Sequence, residues 1–153
     1  MTPGLISRRI VVDRFTLLEE LLRDIRALPL TSEEEFLTDR RNLWTAESCL
    51  RRSLEAVFDI GRHILSKGFA QGVSEYKEIA EELKKKRVLS VEDSGLLRRM
   101  AGYRNRLVHL YHEVSPSELY AICAERLGDI DQVAQGVRAW LLAHPDKLDQ
   151  GLE

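Results

Sequence analysis

Four prolines punctuate this chain, and three of them stand at the ends of segments whose apolar residues recur with helical spacing: Pro29, Pro116 and Pro145. Proline lacks the amide hydrogen and clashes with the preceding turn, so a helix tolerates it in its first turn or beyond its end, not inside. Between these stops the apolar spacing is close to that of a helix, and no convincing alternation of period two occurs. Glycine is also scarce, at 9 of 153 residues, which favours long helices over a turn-rich β fold.

The first helix is expected from about Ser7 to Ala27, with Ile10, Phe15, Leu18, Leu21, Leu22 and Ile25 on one face. A second opens after Thr31 or Ser32, where Glu33, Glu34 and Glu35 would complement the helix dipole. It extends toward Leu65, broken or bent near Asp39 to Arg41, with Leu43, Ala46, Leu50, Leu54 (or Val57), Phe58, Gly61 and Leu65 as its core stripe. Gly61 inside that stripe predicts a closely packed neighbouring helix. Lys67 to Ser74 reads as a loop, and a short helix follows from about Glu75 to Lys86, with Ile79, Ala80 and Leu83 facing inward. The run Lys84-Lys85-Lys86-Arg87 fits a solvated last turn better than a nucleic-acid patch. Ser90-Val91-Glu92-Asp93 has the form of a capping box and opens a helix to about Leu110, burying Leu96, Leu97, Met100, Tyr103, Leu107 and Leu110. A last helix is expected from Ser115-Pro116-Ser117 to Ala143, with Leu119, Ile122, Cys123, Leu127, Ile130, Val133, Val137 and Leu141 inside. The fold class is therefore all-α: an up-and-down helical bundle of four main helices plus a short one, as one domain over residues 1–153.

Charge sets limits on function. The net charge is −2 and the sequence pI about 6.1, so the chain has no global basic signature, and any RNA-binding surface must be local or assembled from two subunits. Cys49 and Cys123 lie far apart in apolar helical patterns and are expected as reduced, buried thiols. Met1 to Ile10 has no apolar leader core and no run approaches a membrane span, so a cytoplasmic protein without membrane contact is expected.

Chemistry concentrates in Arg104-Asn105-Arg106-Leu107-Val108-His109-Leu110-Tyr111, in the last turns of a helix. Arginine supplies a permanent cation with a planar donor fork for phosphate oxygens, and histidine both takes and gives a proton near neutral pH. At about 100° per residue, Asn105 and His109 share one side of the helix while Arg104 and His109 stand about 140° apart, able to flank a groove. Two copies meeting along this helix would bring two arginines and two histidines into one cleft. That set suits RNA cleavage by internal attack of a 2′-hydroxyl, with His109 as acid and base, Arg104 as phosphate clamp, Asn105 as orienting group and Tyr111 as donor or stacking group.

The same string resembles the Arg-(four residues)-His-X-Tyr motif of HepT-like toxins of the HEPN superfamily. The similarity extends to Leu97–Tyr103 upstream, to Val114–Tyr120 downstream, and to Arg41, Glu47, Arg51, Glu55 and Ala56 in the long second helix, covering about residues 5 to 140. The resemblance implies a homodimer with a shared cleft and metal-independent cleavage of RNA. It also implies a toxin–antitoxin partnership with an MntA-type minimal nucleotidyltransferase. Carried over, Arg104 and His109 form the catalytic pair, Asn105 and Tyr111 support it, and Tyr111 is the residue modified to O-AMP-tyrosine.

Other readings are weaker. His109 and His112 offer two ligands on one helix face, but no third ligand stands at convincing spacing, so neither a metal nor another cofactor is expected. His63 reads as structural and His144 as a helix-end residue. The alternative function is a non-catalytic helical subunit that binds a nucleotide or a nucleotidyltransferase, which would have no need of the Arg104 and His109 pair.

Overall fold

The computed structural model describes residues 3–108 and 114–150. Among them are seven α-helices: α1 (Arg8–Arg26), α2 (Glu33–Thr38), α3 (Arg40–His63), α4 (Tyr76–Lys85), α5 (Val91–Val108), α6 (Pro116–Glu125) and α7 (Leu127–Ala143). A π-helical turn, Ile64–Gly68, extends α3, and a 3-10 turn, Pro145–Lys147, follows α7. No strand is present among the described residues, only an isolated parallel bridge between Ile6 and Leu148. The all-α bundle expected from the periodicity is the observed fold.

The helix starts follow their local chemistry. Ser7, Ser32 and Ser115 each stand in extended backbone and accept a hydrogen bond from the amide three residues on, at 3.2, 3.2 and 3.1 Å. Ser90 Oγ accepts from the Asp93 amide at 3.0 Å, the first half of the expected capping box, while Asp93 turns its carboxylate to Gln132 Nε2 at 2.8 Å. The break near Asp39 is real: its carboxylate caps α3 by accepting from the Arg41 amide at 2.9 Å. α4 ends with Arg87 in the left-handed region at φ 61°, and the Val88 and Arg87 amides close on the Leu83 and Lys84 carbonyls. Lys84 and Lys85 pair with Glu81 and Glu82, as a solvated last turn should.

Three expectations change. The helix from 115 to 143 is two helices, with Arg126 leaving helical geometry at φ −115°, ψ 0°. The bend lets α6 lie against α2 and α3, where Tyr120 donates its hydroxyl to the Leu30 carbonyl at 2.6 Å and packs on Phe36, while α7 lies along α5. Apolar spacing continues across the bend, so periodicity could not show it. In α1 the buried row is Val11, Phe15, Leu18, Leu22 and Ile25, with Leu21 beside it, and Ile10 is exposed. In α5 the buried set is Ser94, Leu97, Met100, Ala101 and Leu107, with Leu96 and Tyr103 only partly covered, and Leu110 lies outside the described residues. Ser94 is tolerated in the core because its hydroxyl donates to the Ala80 carbonyl at 2.9 Å.

α3 is the centre of the bundle, packed against α1, α4, α5, α6 and α7. Its buried residues are Ala46, Cys49, Leu50, Ser53, Leu54, Ala56, Val57, Phe58, Ile60 and Gly61, far wider than a single stripe. Both cysteines are buried and unpaired, and burial pushes the Cys123 thiol up to about 12. The close approach predicted at Gly61 is present, since a Cβ there would lie 2.9 Å from Leu83 Cδ1 and 3.1 Å from Ile79 Cγ2 of α4.

The chain ends described are tied to the bundle. The Ser7 amide donates to His63 Nε2 at 2.9 Å, the Arg8 amide to Asp149 Oδ1 at 3.0 Å, and Ile6 exchanges backbone bonds with Lys147 and Asp149. His144 stacks on Trp140 with ring centroids 4.5 Å apart, and its Nδ1 donates to the Trp140 carbonyl at 2.8 Å. Both histidines are structural, as expected.

Two stability effects follow. Gly61→Val is expected to cost about 1–3 kcal/mol through overpacking between α3 and α4, seen as a lower urea midpoint at unchanged slope. His63 acts as an acceptor, so it must be neutral, and burial together with Lys67 pushes its imidazole below the ordinary value against the opposing pull of Asp149. Its contribution is therefore full above the unfolded-state value of about 6.5 and is lost as pH falls through the lower folded-state value. Thermal melting of wild type should drop between neutral and mildly acidic pH by a component that His63→Gln lacks.

Candidate active site

The motif begins on α5, and α5 is placed by its apolar side. Leu97, Met100, Ala101 and Leu107 fix the rotation of the helix against the core. Arg104 is thereby turned toward α3 and the start of α4.

Two groups hold the Arg104 guanidinium. Its Nη2 donates to Glu55 Oε2 on α3 at 3.1 Å, and its Cζ lies over the ring of Tyr76, the first residue of α4, 4.4 Å from the ring centroid. Tyr76 is itself fixed by Phe58, with centroids 4.7 Å apart, and by Arg62, which donates to the Val73 and Ser74 carbonyls at 3.3 Å. The ion pair is shielded, with side chains 22 % and 27 % exposed, so it is less screened than a surface pair. Arg104 Nε is buried and has no hydrogen-bond partner among the described residues.

Glu55 serves a second cation. Its Oε1 accepts from Arg51 Nη1 at 2.8 Å, one turn back on α3. Two guanidiniums thus share one carboxylate, and the cluster keeps one positive charge.

Arg104 and Asn105 line one cleft of about 480 Å³ with Ser74, Glu75, Tyr76 and Lys77. The adjacent Arg106 turns the other way and forks onto Glu118 of α6, at 2.5 and 2.6 Å. That pair joins the end of α5 to the first turn of α6, on either side of residues 109–113. His109, Leu110, Tyr111, His112 and Glu113 lie outside the described residues, so of the four predicted site residues the structure brings Arg104 and Asn105 together.

Glu55 and Tyr76 carry no role that the sequence assigns. The Arg51 and Glu55 spacing of four is a visible signal of an ion pair on one helix face. Nothing local links either to Arg104, which is 49 residues from Glu55. Among the described residues no three His, Cys, Asp or Glu side chains gather as metal ligands, and no helix is long and apolar enough to cross a membrane.

The chain as a whole has relatives. A family model described as ribonuclease HepT-like matches residues 18–137. A tRNA nuclease HepT from Aphanizomenon flos-aquae is 24 % identical over 140 residues, spanning 92 % of this chain and 95 % of the relative. In structure, the chain is similar to a Shewanella oneidensis HEPN toxin, solved tri-AMPylated in complex with its MNT antitoxin. That match has a TM-score of 0.76 and 21 % identity over 85 % of this chain and 97 % of the toxin. It is also similar to the cytosolic protein YutE of Bacillus subtilis, at a TM-score of 0.77 and 16 % identity over 95 % and 98 % of the two chains. The structural likenesses agree on the fold, and the family model spans the site from Glu55 through Arg104. The chain belongs to the ribonuclease HepT-like family.

Proposed function

We propose that this protein is the toxin of a HepT/MntA-type pair and cleaves RNA without a metal ion. The observation that carries this reading is Arg104, held on Glu55 and Tyr76 at the wall of a polar cleft beside Asn105, five residues before His109 in the chain. Family membership and the relative named as a tRNA nuclease support it.

In this mechanism the 2′-oxygen of one nucleotide attacks its own 3′-phosphate. A neutral His109 takes the 2′-hydroxyl proton, the new P–O2′ bond forms, and the P–O5′ bond breaks. A protonated His109, from the second subunit of a homodimer, gives a proton to the leaving 5′-oxygen. The products are a 2′,3′-cyclic phosphate and a 5′-hydroxyl, so no water or cofactor is consumed. Arg104 stabilises the extra charge of the phosphorane, and Asn105 orients His109 or the phosphate. The acidic pI fits a local cleft rather than a broad RNA-binding face.

The partner in this reading is an MntA-type minimal nucleotidyltransferase. Transfer of AMP from ATP to the Tyr111 hydroxyl forms the tyrosyl O–P bond, breaks the bond to pyrophosphate and releases the phenolic proton. The anionic adenylyl group, seven residues after Arg104 in the chain, would compete for the phosphate site and neutralise the clamp.

Two experiments test this. With chelator present, wild type should cut a mixed RNA pool, and Arg104→Ala and His109→Ala at matched folding should each lose about 10²–10⁴-fold. A wild type with unmodified Tyr111 that cuts nothing would overturn the ribonuclease reading in favour of a binding subunit. Protein made together with its nucleotidyltransferase should carry adenylyl mass on the Tyr111 peptide, absent in Tyr111→Phe. Recovery of unmodified Tyr111 alone would count against the modification.

A further inference from the structure

We propose, on the ribonuclease reading of the cleft, that Glu55 and Tyr76 are positioning residues for Arg104 and that Arg51 restores the positive charge Glu55 would otherwise cancel. An arginine side chain has several free torsions, and a clamp useful in a transition state must already point where charge develops. The two contacts to Arg104 act on different degrees of freedom. The Tyr76 ring, its centroid 4.4 Å from Cζ, holds the position of the guanidinium carbon, and Glu55 Oε2, 3.1 Å from Nη2, fixes where one of its donors points.

The adjacent Arg106 commits two donors to Glu118, at 2.5 and 2.6 Å. Arg104 instead spends one donor on Glu55, leaves Nε buried without a partner among the described residues, and lines the cleft with Asn105.

A carboxylate beside a phosphate clamp carries an electrostatic penalty, because Glu55 cancels the net charge of Arg104 and weakens its pull on an incoming phosphate. Arg51 solves this. It binds the other oxygen of the same carboxylate at 2.8 Å, and its side chain is 36 % exposed, open to solvent and to a polyanion. The cluster Arg51–Glu55–Arg104 therefore has both rigidity and a net positive charge, in a chain whose overall charge is negative.

Steady-state cleavage of an RNA oligonucleotide by the full chain, with folding matched by circular dichroism and melting, separates these roles. Glu55→Ala is expected to lower kcat by about 10–100-fold with KM unchanged or lower, since the clamp is loosened while a repelling charge is removed. Glu55→Gln, which keeps an oxygen acceptor for Arg104, should recover most of that loss. Arg51→Ala should do the reverse, raising KM and flattening its salt dependence by about one counterion. Should Glu55→Ala fail to fold, Tyr76→Leu carries the same test, because it keeps an apolar contact with Phe58 and loses the ring face under Arg104. Wild-type kcat in Glu55→Ala and Tyr76→Leu, or losses that only track melting temperature, would overturn the positioning role and leave the ribonuclease standing. A wild type with unmodified Tyr111 that cuts no RNA would overturn both.

Discussion

Ala46, Leu50, Leu54, Phe58 and Ile60 of α3 lose essentially all contact with water, and Ala56 and Val57 nearly all. Full burial of a large apolar side chain is worth about 1.5–3 kcal/mol, whereas an exposed ion pair contributes at most about 1 kcal/mol. The position of α3 is therefore set by its apolar surface, and its charges must be accommodated around that. Four of them form one strip: Arg51, Glu55, Asp59 and Arg62 recur at spacings of four, four and three. Each is paired, Arg51 with Glu55, Glu55 with Arg104, and Asp59 with both Arg14 and Arg62. The polar strip of the most buried helix is thus where the neighbouring helices α1 and α5 are joined to it by charge.

The candidate site grows out of that strip. α5 lays its apolar side on the core and so has one rotation available, which sends Arg104 toward Glu55 and leaves Asn105 on the cleft wall. The start of α4 supplies Tyr76, and its place depends on the tight crossing at Gly61, where a methyl group replacing the glycine hydrogen would stand only 2.9 Å from Leu83 and 3.1 Å from Ile79. A side chain at Gly61 would press on Leu83 and Ile79, which lie on the same helix as Tyr76.

The motif shows how far local reasoning reaches. Arg104 and Asn105 were legible because their residue types and spacing name a chemistry, and the structure places both in one cleft. His109 and Tyr111 rest on the motif and its family resemblance, since they lie outside the described residues. Glu55 was legible as a partner of Arg51 and as part of the family resemblance, but its contact with Arg104, like that of Tyr76, exists only once α3, α4 and α5 are packed together.

The sequence alone determined that the chain is helical, where most helices begin, that Asp39 interrupts the second segment and that Gly61 marks a close crossing. All of these are local: a cap, a proline or a missing Cβ acts within a turn of its own position. Tertiary structure decided the bend at Arg126, the exposure of Ile10 in favour of Val11, the burial of α3 on several sides, and the sharing of Glu55 between Arg51 and Arg104. Those outcomes depend on which helix faces which. Packing of whole apolar surfaces sets that choice, and such surfaces are assembled from residues far apart in the chain.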